Sequence, residues 1–229
     1  MATIAANLQG VTARIARAAA AAGRDPSAIA LVAVSKTFPA GCVAEARAAG
    51  QRAFGENYVQ EALAKQAALA DGSLEWHFIG PIQSNKTRAI AEHFAWVHSV
   101  DRLKIAERLD AARPAGLPPL NVLLQVNADA EDTKSGVAPD ELAALAQAVA
   151  RLPGLALRGL MCIPRPAADV EAQRRPFARL RALRDALAAG GLALDTLSMG
   201  MSADLEAAVA EGSTLVRVGT AIFGERSAH

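Results

Sequence analysis

The sequence predicts an α/β protein, a single (β/α)8 TIM barrel preceded by an additional N-terminal helix. Eight short apolar runs, at 29–35, 52–55, 75–80, 96–99, 121–127, 156–163, 196–199 and 215–219, alternate with helical patterns. Strands that alternate with helices fold as parallel βα units, and eight such units close a barrel. A chain of 229 residues has the length of one such barrel. A doubly wound open sheet is the alternative that the same alternation allows. No linker, low-complexity tract or internal repeat interrupts residues 1–229, so the chain reads as one domain.

The extra helix comes first. Ile4, Leu8, Val11 and Ile15 recur at spacings of four, three and four, a helical stripe that Gly23 ends. The first strand is the run Ala30-Leu-Val-Ala-Val34, which passes directly into Ser35 and Lys36. The proline-rich stretch 113–119 reads as the loop before the fifth strand. A helix over 139–152 places Leu142, Leu145, Val149 and Leu152 on one face, and one over 169–189 buries Leu180, Leu183 and Leu187.

Bulk properties narrow the function. An apolar fraction of 52% and a mean hydropathy of +0.18 promise a large core, much of it alanine. A net charge of +1 argues against a dedicated nucleic-acid or membrane surface. Cys42 and Cys162 offer neither a disulfide framework nor metal spacing, which fits a reducing compartment. Arg14 and Arg17 break the apolar stretch that a secretory leader requires, and no run approaches the ~18 apolar residues of a spanning helix. The protein is expected in the cytoplasm. Walker-type loops, dinucleotide glycine fingerprints and histidine–carboxylate clusters at metal spacing are absent from the sequence.

Active sites of such barrels are built from the loops after each strand. Here those loops hold Lys36, Glu56-Asn57, Pro81 to Lys86, Lys134-Ser-Gly136, Pro164, Gly200 to Ser202 and Gly219-Thr220, so the unusual residues converge on one rim. Lys36 puts an amine at the mouth of the first strand. Partial burial there lowers the pKa of an amine and frees it to condense with an aldehyde; a solvated surface charge is the plain alternative. Ser198-Met-Gly-Met-Ser202, with Gly200 and Met201 at its centre, leads into a helix expected near Ala203. Such a turn offers amide groups to an anion, although Ser202 could simply be the helix cap. Gly219-Thr220 repeats the arrangement after the last strand, the place where barrels hold phosphate. A lysine for the aldehyde and two turns for a phosphate together suggest pyridoxal 5'-phosphate (PLP).

Other residues carry two readings each. Arg217 alternates with Val216 and Val218, so it points inward, either to an ion pair with Glu56 or another carboxylate, or to a pyridine nitrogen. In the second role it would keep that nitrogen unprotonated and weaken the cofactor as an electron sink. His77 is a candidate base or a satisfied core histidine. Asn57 could touch a ring oxygen or cap a helix. Lys134 could be a second aldehyde-reactive amine or a loop charge.

Taken together, Ala33-Val-Ser-Lys-Thr37, Phe54-Gly-Glu-Asn-Tyr-Val-Gln-Glu61, Trp76-His-Phe-Ile-Gly-Pro81, Gln83-Ser-Asn-Lys86, Lys134-Ser-Gly136, Arg158-Gly-Leu-Met161, Leu197-Ser-Met-Gly-Met-Ser202 and Val216-Arg-Val-Gly-Thr-Ala-Ile-Phe-Gly224 closely resemble the YggS/PROSC family of pyridoxal phosphate homeostasis proteins. The resemblance implies an alanine-racemase-N-terminal type barrel with PLP in an internal aldimine on Lys36. It implies Asn57 beside the cofactor, Ser202, Gly219 and Thr220 on the phosphate, Arg217 facing the pyridine nitrogen, and a part for Lys134 in cofactor handling. Family members are regarded as non-catalytic carriers, so the resemblance also implies apo-enzymes as recipients. A monomer is expected, because the barrel needs no partner to complete its site. Phe38-Pro39 departs from the family, where many relatives have a second lysine before the proline. An amino-acid racemase and a cofactor-free lysine aldolase are the competing readings; the racemase needs a base on each face of the cofactor, and Tyr58 is the chain's one tyrosine.

Overall fold

The computed structural model describes residues 3–128 and 135–225. Helix α1 (Ile4–Ala21) leads into β1 (Ala30–Val34), α2 (Ala40–Ala48), β2 (Ala53–Glu56), α3 (Val59–Leu69), β3 (Glu75–Phe78), α4 (Thr87–His93) and β4 (Trp96–Val100). The second half comprises α5 (Leu103–Ala112), β5 (Leu120–Gln125), α6 (Leu142–Val149), β6 (Leu155–Met161), α7 (Val170–Ala189), β7 (Thr196–Ser198), α8 (Leu205–Ala210), β8 (Leu215–Val218) and α9 (Thr220–Phe223). The strands run parallel in sequential order, and β8 pairs with β1 from Ala30↔Leu215 to Ala33↔Val218. The barrel is closed; the open sheet is excluded.

Local chemistry explains the helix ends. Thr3 Oγ1 accepts the Ala6 N–H at 3.2 Å and starts α1, whose Leu8, Val11 and Ile15 are buried as the stripe predicts. Asp169 caps α7 by accepting the Ala172 N–H at 2.7 Å. Helix α6 begins at Leu142 rather than at the expected residue 139. A turn precedes it, in which the Glu141 N–H donates to Ala138 O at 3.1 Å, so the chain tightens before it becomes α-helical.

The main core lies between the sheet and the helices, around Phe54, Phe78, Ile90, Leu124, Phe177 and Leu180. Inside the barrel the filling is unusually polar. His98 Nδ1 on β4 lies 2.9 Å from Ser198 Oγ on β7, two strands that are not neighbours, so this hydrogen bond crosses the lumen. Branched apolar residues usually fill that space.

Gly159 is dictated by close approach. It sits at φ 157° beside a register shift between β5 and β6, and a Cβ there would lie 1.8 Å from Thr196 O. Gly159→Ala is expected to cost about 3 kcal/mol or more by forcing β6 from β7, which a thermal melt against the parent protein will read.

Candidate functional site

One cavity of about 260 Å³ opens at the C-terminal mouth of the barrel. Val34 lines it from β1 and Lys36 from just beyond, Asn57 from the end of β2, Met201 and Ser202 from the loop after β7, and Arg217, Gly219 and Thr220 from β8 and beyond. The structure thus brings together residues far apart in sequence that the rim rule singles out.

Lys36 is half-buried in a tight turn closed by the Phe38 N–H donating to Ser35 O at 3.1 Å. Thr37 occupies the left-handed region at φ 69°, a costly position for a β-branched residue. What holds it is a buried charge cluster outside the barrel wall. Lys65 Nζ donates to Glu56 Oε1 at 2.7 Å, to Glu61 Oε1 at 2.6 Å and to Ser35 O at 2.7 Å. Glu61 Oε1 also accepts the Thr37 N–H at 2.6 Å, and Ser35 Oγ donates to Glu56 Oε1 at 2.6 Å. The backbone on both sides of Lys36 is therefore clamped to one set of ion pairs. Burial pushes the Glu56 carboxyl above its usual range, against the pull of Lys65.

This cluster corrects one expectation and adds residues the sequence reading missed. Glu56 does not pair with Arg217. A Cβ at Gly55 would touch Val32 Cγ1 at 3.0 Å inside the barrel, so its neighbour Glu56 faces the other way, under α3. Glu61 and Lys65 stand at i,i+4 on α3, a pairing that the sequence displays openly.

At the anion end, Gly200 has φ 95° and packs its Cα against Ala208, where a Cβ would lie 2.5 Å away. Helix α8 starts at Leu205, and Met201 N–H donates to Asp204 Oδ1 at 2.6 Å. Ser202 is therefore not the helix cap, and its hydroxyl has no partner among the described residues. The amides of Ser202, Ala203, Thr220 and Ala221 likewise meet no acceptor among the described residues. Gly219 lets the end of β8 approach β1, since a Cβ would stand 3.1 Å from Val34 O.

Arg217 is buried at 4% exposure and faces the cavity. Nη1 donates to Ser198 Oγ at 2.6 Å and Nη2 to Cys162 O at 3.0 Å. Ser198 and Gly200 support the site from behind and do not line it. His77 is also not in the cavity: its Nδ1 lies 2.9 Å from His98 Nε2 and its Nε2 lies 2.8 Å from Glu75 Oε1, deep in the barrel. Both ring nitrogens of His77 are thus engaged by the protein, the arrangement of a satisfied core histidine. Lys134 lies outside the described residues. Asn57 lines the cavity, and its Oδ1 is buried without a partner.

Burial pushes both His77 and His98 below the usual histidine range, with His77 partly held up by Glu75 and His98 further lowered by His77 and Arg217. The unfolded chain then binds protons that the folded chain refuses. Stability should be complete above about pH 6.5 and fall as pH drops below it, by up to about 1.4 kcal/mol per pH unit for each histidine. Urea midpoints at pH 7.5 and 5.5 check this.

Among the described residues no helix is long and apolar enough to cross a membrane, and no His, Cys, Asp and Glu group could hold a metal ion. The alanine racemase N-terminal domain family matches residues 6–227. A pyridoxal phosphate homeostasis protein of Pseudomonas aeruginosa is 67% identical over 226 residues, covering 99% of this chain and 97% of its own length. PipY of Synechococcus elongatus, solved with PLP bound, is 43% identical with a TM-score of 0.81, covering 92% of this chain and all of that one (100%). Alanine racemase from Corynebacterium glutamicum shares the fold alone, at 18% identity and a TM-score of 0.70, and this chain spans 61% of its length. On the family match and these identities, the chain belongs to the YggS/PROSC family of pyridoxal phosphate homeostasis proteins, built on the alanine racemase N-terminal fold.

Proposed function

We propose that this chain binds PLP covalently on Lys36 and buffers or delivers the cofactor in the cytoplasm, without turnover of its own. Residues 1–229 act as one PLP-binding unit and as a monomer, with apo-enzymes as recipients. The observation that carries the reading is the convergence, on one cavity, of an amine, a buried guanidinium and two turns with unused amides. Three features fit the group. The orphan Asn57 Oδ1 suits a ring hydroxyl, the close approaches at Gly200 and Gly219 leave room for a phosphate against backbone, and Arg217 offers a donor to a ring nitrogen.

In this reading Lys36 would hold the cofactor covalently through its amine, at the cofactor's aldehyde carbon. When bound, the cofactor supplies an electron sink for amino-acid carbanions. Arg217 would mute that chemistry, because its guanidinium would donate to the ring nitrogen instead of letting it take a proton. Ser202 and Thr220 would hold the phosphate with their amides and hydroxyls, with Gly219 leaving the backbone room to approach it.

Racemisation would need a second base opposite Lys36. His77 is engaged elsewhere, and Tyr58 is 58% exposed and lines a neighbouring cavity with Gln83 and Lys86. The test is to incubate the PLP-loaded protein with an apo-enzyme and, separately, with L-alanine. Reactivation of the apo-enzyme with no D-alanine formed is expected; steady formation of D-alanine would overturn the non-catalytic assignment.

A further inference from the structure

Five side chains span the barrel interior in one unbroken line. Arg217 Nη1 is 2.6 Å from Ser198 Oγ, which is 2.9 Å from His98 Nδ1. His98 Nε2 is 2.9 Å from His77 Nδ1, and His77 Nε2 is 2.8 Å from Glu75 Oε1. Arg217 faces the cavity near the C-terminal ends of the strands, while Glu75 is the first residue of β3, at the opposite mouth, with its side chain 49% exposed.

The chemistry of the two ends fixes the direction of every link. A guanidinium only donates and a carboxylate only accepts. Glu75 therefore takes the His77 Nε2–H, which leaves Nδ1 of that neutral ring as an acceptor. His98 must then donate from Nε2 and accept at Nδ1, and the Ser198 hydroxyl must donate to His98 while receiving from Arg217. Both rings are Nε2–H tautomers. Burial supports neutrality of both, as the lowered pKa of each ring shows. The titratable and charged groups that face the relay from outside it are Arg158, beside Glu75, and Cys162 and Asp204, near Arg217.

Among the described residues no carboxylate is bonded to Arg217, so its orientation depends on Ser198 and on Cys162 O. We infer that Glu75, His77 and His98 are positioning residues for Arg217, a one-way hydrogen-bond relay through the barrel that sets how Arg217 is presented to the ligand's ring nitrogen. This rests on the PLP reading for the identity of the ligand, whereas the relay itself belongs to the protein alone.

The experiment has two independent readouts. The first is the ¹⁵N–¹H pattern of the histidine rings in unloaded protein, which reports tautomers without any ligand. The second is the absorption spectrum and retention of added PLP. In the parent protein both His77 and His98 should show the Nε2–H pattern between pH 7 and 8. Glu75→Gln, a change at a half-exposed site, should leave the fold intact but mix the tautomers of His98, because an amide can donate as well as accept. It should also shift the PLP absorption band and its pH profile, and Ser198→Ala should do so with about tenfold weaker retention. Ser198→Thr, which restores the hydroxyl, should recover both. An Nδ1–H pattern for either ring in the parent, or a Glu75→Gln protein with unchanged His98 resonances, overturns the relay. Altered tautomers with an unmoved PLP spectrum overturn its positioning role. A parent protein that takes up no PLP defeats the functional reading, while the ring resonances still decide the relay.

Discussion

Lys36→Ala is expected to abolish covalent PLP binding while leaving the barrel standing. PLP retained after gel filtration should fall from near one per chain to background, and the visible absorbance of the complex should disappear. The side chain is half-buried at the rim and outside the main core, so the unfolding free energy should change by less than about 1 kcal/mol. The clamp on its neighbours uses the backbone of Ser35 and Thr37, which the substitution keeps. A variant that still holds reducible cofactor, on Lys134 for example, would show the primary assignment to be wrong.

Lys65→Met should have the largest effect on the fold itself. Among the described residues it removes the one cation bonded to Glu56, which is fully buried at 0% exposure, and to Glu61. Losing one partner of a buried ion pair costs about 3–5 kcal/mol, since the remaining charge stays desolvated. Glu56 already lacks a partner on Oε2 and sits above its ordinary pKa. In the variant it has less reason to ionise, so its folded pKa rises further and the folded form gains by taking up a proton. The destabilisation should therefore be greater at pH 8 than at pH 5.5, which denaturant titration at the two pH values measures. Even the folded fraction should retain PLP poorly, because Thr37 at φ 69° loses the acceptor arrangement that holds its strained turn.

The barrel was legible because parallel strands covered on both faces read as continuous apolar runs, as in Ala30–Val34. The rim residues were legible for the related reason that loops after such strands converge. Side-chain partners were harder to read. Arg217 needed a partner, and the sequence left a carboxylate such as Glu56 and a pyridine nitrogen both open; the inward-facing Gly55 turns Glu56 outward toward Lys65. His77 carried two readings, a base or a satisfied core histidine, and the second holds because strand alternation puts His77 and His98, on the next strand, together inside the barrel. Ser202 looked like a cap because α8 was expected two residues early, and Asp204 takes the Met201 amide instead. Long-range pairing across the lumen leaves no local pattern to read.

The central claim is that Lys36 is the amine that carries PLP. The direct measurement is borohydride reduction of the PLP-loaded protein, followed by proteolysis and mass mapping across all five lysines, Lys36, Lys65, Lys86, Lys104 and Lys134. A phosphopyridoxyl group on the Lys36 peptide alone is the predicted result. Its absence there, with the group on Lys134 or on no lysine at all, would contradict the account.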